Sequence, residues 1–419
     1  SFGMLVMLFA IVMAILYLAL EKGDFLDPLV VSWGGMFIFL GVAMYATGLF
    51  IPNRKGVDQN TRGAFLMISS VIMFALGVYS GRGMWLARVL PTPRRTLDTT
   101  QVWFMWSLSL VLVVIGVSVV QTVGKELFAV FGAIVMGGVS TIVLVSLLVI
   151  FTYRGYVFSK ILLLASVAGA FVVTYFTSFS RRPVLSLFAV VLAMIYYNWV
   201  RRWPLLAKGT FFAGFLVSAF VLNLFLEAVR GYIYYQGKAE RGETFSAENL
   251  AGNVGGVTIG YEVYEFMLER IPQTDPFLWG SGLVPGVAFI IPRAIWPDKP
   301  YASGWIATQI WYGELNPANN LSPLPVGELY MNFGVPGMLL GFYVLGVLVR
   351  AFNSYMLMHR GNVVLWLAYF MVLPDYLGQW RGDFTSMTAQ GLTRIAIFLG
   401  LAYVAGVLFP PAQPAIQVP

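Results

Sequence analysis

The chain has 419 residues, 59% of them hydrophobic and 11% charged, with a mean hydropathy of +0.79. A soluble protein of this length needs far more polar surface to cover its core, so the composition excludes an ordinary water-soluble enzyme and points to a multi-spanning membrane protein. There is no cysteine and one histidine, His359. That excludes disulfides, thiolate metal sites and cysteine nucleophiles, and leaves little room for a histidine metal cluster or a Ser-His-Asp triad. In so apolar a chain the net charge of +7 marks loops or an anionic substrate rather than nucleic acid.

A span needs about 20 apolar residues, because a rise of about 1.5 Å per residue must cross a hydrocarbon core of about 30 Å. In chain order, eleven runs qualify (an expectation of 10–12 spans): approximately 2–20, 29–51, 64–80, 102–123, 127–151, 156–178, 183–200, 205–229, 333–352, 361–378 and 390–409. The first, Phe2–Leu20, reads as a retained helix. The expected fold is therefore an all-α polytopic membrane protein with one large outward loop. Its sections are an N-terminal membrane region over 1–229, a loop or cap over 230–325, and a C-terminal membrane region over 326–419. Of the 19 acidic residues, 11 lie from Glu227 to Glu328, so function is sought there. With the insertion outside, the short inner loops carry twelve Lys and Arg against eight outside, which favours that orientation by the positive-inside bias.

Within the insertion, residues 257–271 read as an amphipathic helix. Ile259, Val263, Phe266, Met267 and Ile271 share one side, and Glu262, Glu265 and Glu269 share another, expected to be a solvated face. Ser303–Tyr312 is a second short helix. Gly-Pro turns separate these elements, and the aromatic content suits a cap lying on the outer membrane surface. Walker A, dinucleotide and HExxH motifs are absent from the sequence. Gly337 and Gly341 form a GxxxG pair, which reads as close helix packing.

Four constellations carry possible chemistry. In Ile291-Pro292-Arg293-Ala294-Ile295-Trp296-Pro297-Asp298-Lys299-Pro300, two cations flank an aromatic and an acid in a loop stiffened by prolines. Arg offers a planar fork for phosphate and Lys a point charge, while an Arg293–Asp298 pair is the plain structural alternative. In Gly327-Glu328-Leu329-Tyr330-Met331-Asn332-Phe333-Gly334, Glu328 is expected near the membrane boundary, placed to take up a proton, or else serves as an ordinary helix-start acid. The third is Gln379-Trp380-Arg381-Gly382-Asp383, with Asp375 just before it. The fourth is Glu227 with Arg230 at i, i+3 spacing. Arg230, Arg293, Lys299 and Arg381 fall on one membrane face under this topology, as expected of a site for a charged head group.

At these residues the sequence resembles the oligosaccharide repeat-unit polymerases, the O-antigen polymerases of the Wzy type. The run IPRAIWPDKP, then GELYMNFGVPG, then RG-D after the next span carry the resemblance, which covers roughly residues 225–385 by motif. The related O-antigen ligases typically carry a histidine in the large loop, which this chain lacks. The resemblance implies a processive glycosyltransferase at the outer face of a bacterial inner membrane, acting on undecaprenyl-diphosphate-linked oligosaccharides without metal, cofactor or nucleotide sugar. A chain-length regulator and a flippase are the implied protein partners, beside membrane lipids. On this reading Glu328 is the base, with Asp298 the alternative. Arg293, Lys299, Arg230 and Arg381 hold the diphosphate, with Asp383 beside them. Tyr330, Trp296 and Trp305 stack on sugars, and Asn332 hydrogen-bonds them. A flippase or transporter is the competing class, though transporters concentrate charge at mid-membrane.

Overall fold

A computed structural model describes residues 24–42, 61–91, 97–123, 128–152, 157–178, 181–239, 259–288, 291, 293, 295–313, 321–382 and 384–410. Every regular element among them is helical. The main helices are α1 (Pro28–Met36, running on into a π turn, Phe37–Val42), α2 (Thr61–Tyr79), α3 (Arg82–Val89), α4 (Thr99–Val123), α5 (Phe128–Thr152), α6 (Val157–Ser178), α7 (Arg181–Asn198) and α8 (Leu205–Ala239). They continue as α9 (Ile259–Arg270), α10 (Ser303–Tyr312), α11 (Leu324–Met358), α12 (Val363–Gly378) and α13 (Phe384–Leu408).

Among the described residues, five helices are long and apolar enough to cross a membrane: Arg62–Tyr79, Thr99–Val119, Ile134–Thr152, Leu324–Met358 and Phe384–Leu408. Five shorter apolar helices accompany them: Pro28–Gly41, Ser159–Tyr175, Pro183–Asn198, Leu205–Ala219 and Val363–Gly378. The expected count of eleven spans is therefore not reached among the described residues. Run 2–20 lies outside them, as does the end of run 29–51.

The chain forms two compact units, and each of the three linear sections contributes to both. The first comprises residues 1–92, 250–358 and 375–389; the second comprises 93–249, 359–374 and 390–419.

In the first unit α2 and α11 meet almost backbone to backbone. A methyl group added at Gly77 would lie 2.1 Å from the Tyr343 carbonyl oxygen, and one at Gly346 would lie 2.1 Å from that of Phe74. These two glycines, rather than Gly337 and Gly341, make the close helix crossing. Helix α11 itself breaks at Gly334, where φ is 67° and ψ −165°, a backbone region essentially reserved for glycine. Beyond the break the chain folds back on itself. Leu329 packs on Gly341 and Phe333 on Gly337, although Leu329 and Gly341 would stand about 18 Å apart along a straight helix. The GxxxG face is thus covered by the upstream half of its own helix. The break frees carbonyls at the end of the first segment. The amides of Leu278 and Trp279 donate to the carbonyls of Met331 (2.9 Å) and Asn332 (3.0 Å).

Helix α9 takes the expected register, with Val263, Met267 and Ile271 fully buried. Its acidic side departs from the expected solvated face: Glu262 and Glu265 are 9% and 5% exposed, and only Glu269 faces solvent. The reason is that α9 packs on more than one side. Gly63 at the start of α2 lies against Glu265 and Leu268, while Tyr264 packs on Gly327 and its hydroxyl donates to the Gly63 carbonyl (3.2 Å).

In the second unit α4 and α5 pack through Gly116 against Val135 and Gly138 against Val113. Two buried hydroxyls there close on their own helix: Ser140 donates to the Met136 carbonyl (2.7 Å) and Thr141 to that of Gly137 (2.8 Å). Asp98 and Gln101 form a reciprocal N-terminal cap on α4. The Gln101 amide donates to Asp98 Oδ1 (2.8 Å), and the Asp98 amide to Gln101 Oε1 (3.2 Å).

Candidate functional site

The site is built on the folded-back segment 324–333 of the first unit. Glu328 is 1% exposed, covered by protein on all sides. Its Oε2 accepts from the Phe384 amide (2.8 Å); its Oε1 accepts from the Thr385 amide (3.3 Å) and from the Thr385 hydroxyl in a short contact. A carboxylate on the first amides of α13 satisfies donors that the helix start leaves open and matches its positive end. The acid does cap a helix start, but of a helix that begins 56 residues later.

Asn332 is fully buried beside it and donates to the Glu328 carbonyl (2.8 Å) and to Ser303 Oγ (3.1 Å). Tyr330, 2% exposed, donates to the Ile271 carbonyl (2.7 Å). Both side chains therefore belong to the frame of the site rather than to an open face that a sugar can reach.

The proline-rich loop is rooted on this frame at both ends. Before it, Gly282 packs on Ser303 and Asn332, and Gly286 packs on Thr385. After it, Ser303 opens α10 and meets Asn332. The loop's cations turn back on its own backbone. Arg293 donates to the carbonyls of Pro297 (3.3 Å) and Pro300 (3.2 Å), and its guanidinium lies 4.0 Å from the Tyr301 ring centroid. These carbonyl and ring contacts stand where an Arg293–Asp298 pair was the plain alternative. Lys299 donates to the Ile291 carbonyl (3.0 Å). Burial, then the neighbouring Arg293 charge, lowers the Lys299 pKa from the usual lysine range. Asp298 is exposed in the turn between Pro297 and Lys299, and Trp296 and Trp305 are half-buried. The loop exposes the apolar side chains of Ile291, Ile295 and Tyr301, and Trp279 and Val287 ahead of it are exposed as well.

Arg381 lies in the turn that leads into α13, its amide bonded to the Gly378 carbonyl (3.1 Å). It stands three residues before Phe384, on the segment that Glu328 holds. Asp383 lies outside the described residues, as does the side chain of Arg230, whose backbone belongs to α8 in the second unit.

A second group, Arg62, Tyr261, Tyr264 and Glu265, meets segment 324–333 at Gly327 and Tyr330. Tyr261 hydrogen-bonds Glu265, and both tyrosine hydroxyls are held above their ordinary range, first by burial and then by the Glu265 charge. The signal for it was present only as tyrosines interleaved with the glutamates of α9. Among the described residues, no cluster of three or more His, Asp or Glu side chains is arranged to hold a metal ion.

No family model, curated protein or solved structure matches the chain.

Proposed function

We propose that the chain is a membrane glycosyltransferase that polymerises oligosaccharide repeat units carried on a lipid diphosphate. The observation that carries this reading is the loop 291–301. It offers two cations and an exposed carboxylate within seven residues, Arg293 to Lys299, beside the exposed apolar side chains of Ile291, Ile295 and Tyr301, and is rooted on a rigid buried frame. That combination suits a substrate with a charged diphosphate, a polar glycan and a long apolar tail.

In the proposed reaction an acceptor hydroxyl attacks the anomeric carbon of the growing chain. The new glycosidic bond forms as the bond to the donor diphosphate oxygen breaks, and the electron pair leaves with the lipid diphosphate. Arg293, Lys299 and Arg381 receive the charge that develops there, and the acceptor proton passes to a carboxylate. Because the Glu328 oxygens are committed to the start of α13, we assign the proton to Asp298, the exposed acid. Glu328 then acts as a positioning residue that fixes the turn bearing Arg381 against the loop. Trp296 and Trp305 supply apolar faces for the sugar rings. The reading places this chemistry at the outer face of a bacterial inner membrane, with repeat units delivered there by a flippase and chain length set by a separate regulator.

The break in α11 at Gly334 favours a second reading, a lipid-linked oligosaccharide transporter, because discontinuous helices line many transport sites. Purified protein incubated with lipid-linked repeat units separates the two. The polymerase reading expects covalent dimers, trimers and longer products in detergent, with no membrane gradient present. Translocation across vesicles without any covalent joining overturns it.

A further inference from the structure

The second unit holds a cleft that glycosyl transfer does not use. Helix α7 ends at Asn198 and passes into a short 3-10 turn, Val200–Arg202; a second turn at 359–362 precedes α12. Between them opens a half-open cleft. Its floor is apolar, formed by the buried side chains of Met194, Leu367 and Phe370. Its wall is aromatic, with the rings of Tyr197 and Trp366 centred 4.9 Å apart. The Trp366 indole donates to the Arg360 carbonyl (2.9 Å), which ties the turn to the wall.

The mouth is basic. The Arg201 guanidinium lies 5.0 Å from the Tyr197 ring centroid and 5.8 Å from that of Trp366. Arg360 lines the cleft and is exposed, Arg202 is exposed alongside, and none of the lining residues is acidic. Just outside, Trp199, Trp203 and Leu206 are 56%, 45% and 82% exposed. Exposed tryptophans beside arginines at helix ends are the composition of a membrane–water interface.

We infer that this cleft seats the phosphate head group of an anionic phospholipid. Arginine forks suit phosphate oxygens, basic pockets between helices at a membrane surface hold anionic head groups, and the apolar floor accommodates the start of an acyl chain. The floor and the exposed apolar side chains at the mouth commit the site to a lipid rather than to free phosphate. The inference rests on these helix ends alone, so its failure leaves the glycosyl-transfer reading intact, and the reverse holds too.

The test uses the purified full chain in detergent, titrated in parallel with phosphatidylglycerol, phosphatidylcholine of the same chains, and inorganic phosphate. Native mass spectrometry reads retained lipid, and thermal unfolding reads stabilisation. Phosphatidylglycerol is expected to be retained and to raise the unfolding midpoint, while the other two leave it near its starting value. The Arg201→Gln/Arg360→Gln variant should lose roughly tenfold or more in phosphatidylglycerol affinity, with an unchanged midpoint in phosphatidylcholine. If that variant does not fold, Arg360→Gln alone, at an exposed rim position, carries the same expectation. Equal responses to the two lipids, an equal response to inorganic phosphate, or an unchanged phosphatidylglycerol affinity in the variant overturns the inference.

Discussion

The two units mix local and long-range polar pairing in different measure: the second also ties Gln101 to the Phe409 carbonyl (2.7 Å), and the first also closes Thr308 on the Gly304 carbonyl (2.8 Å). In the second, buried Ser140 and Thr141 return their hydroxyls to carbonyls of their own helix, so packing proceeds as if the side chains were apolar. In the first, polar side chains join distant segments. Glu328 reaches Thr385, and Asn353 donates to Asp27 Oδ1 (2.8 Å) across 326 residues. Ser32 and Tyr376 share a short hydrogen bond. Long-range pairing makes a frame in which Glu328 and Asp27 each hold a partner far along the chain. The loop with the candidate chemistry belongs to that frame.

This contrast can be broken by substitution. The largest effect is expected from Arg293→Ala, which removes a guanidinium proposed to face the leaving diphosphate. Chain extension should fall about 10²–10³-fold, measured as polymer formation from purified lipid-linked units. Exposed Arg202→Ala in the second unit should leave extension unchanged, and a matching loss from it would erase the distinction. Next, Glu328→Ala strips the acceptor from two buried amides and a hydroxyl. Equilibrium unfolding in detergent should record a loss of about 3 kcal/mol or more. Gly334→Ala forces a Cβ into a glycine-only conformation, 3.2 Å from the Phe277 ring; a loss of about 1–3 kcal/mol is expected in the same measurement.

A smaller effect is expected from pH. Burial and Arg293 lower the Lys299 pKa, so its ammonium form is lost at a lower pH than for an ordinary lysine. Donor KM should therefore rise as pH climbs through that lowered value, and Lys299→Arg should flatten the profile. The sign for stability is opposite. In the interval between the lowered and the ordinary pKa the unfolded chain binds the extra proton, so stability rises with pH there. The smallest effect is Ser140→Ala in the second unit, expected within about 0.5 kcal/mol because its hydroxyl serves only its own helix.

Much of the helical layout was legible in the sequence, because run length and period follow from local physics. The expected helix 257–271 is Ile259–Arg270, and Ser303–Tyr312 forms at the expected bounds. What was not legible depends on partners far along the chain. The pattern of α9 identified its apolar side, but nothing local said that Gly63 covers Glu265 on the other. In sequence Glu328 looks like a boundary acid because the run 333–352 reads as one continuous span just beyond it. Once the helix breaks at Gly334, the carboxylate turns inward to Thr385, 57 residues away. Tyr330 and Asn332 were read as sugar contacts for the same reason, and the same break draws them into the frame. The closeness of Arg293, Asp298 and Lys299 in one loop is legible because they lie within seven residues of a proline-rich run.

The central claim is that carboxylate and cation chemistry on the 291–301 loop joins repeat units while Glu328 only holds the frame. The most direct measurement compares wild type, Asp298→Asn and Glu328→Gln in chain extension with purified lipid-linked units, each variant first shown to be folded. The account predicts a polymer ladder from wild type, near-complete loss with Asp298→Asn, and a reduced but present ladder with Glu328→Gln. A full ladder from Asp298→Asn, with extension abolished in a folded Glu328→Gln variant, would contradict it.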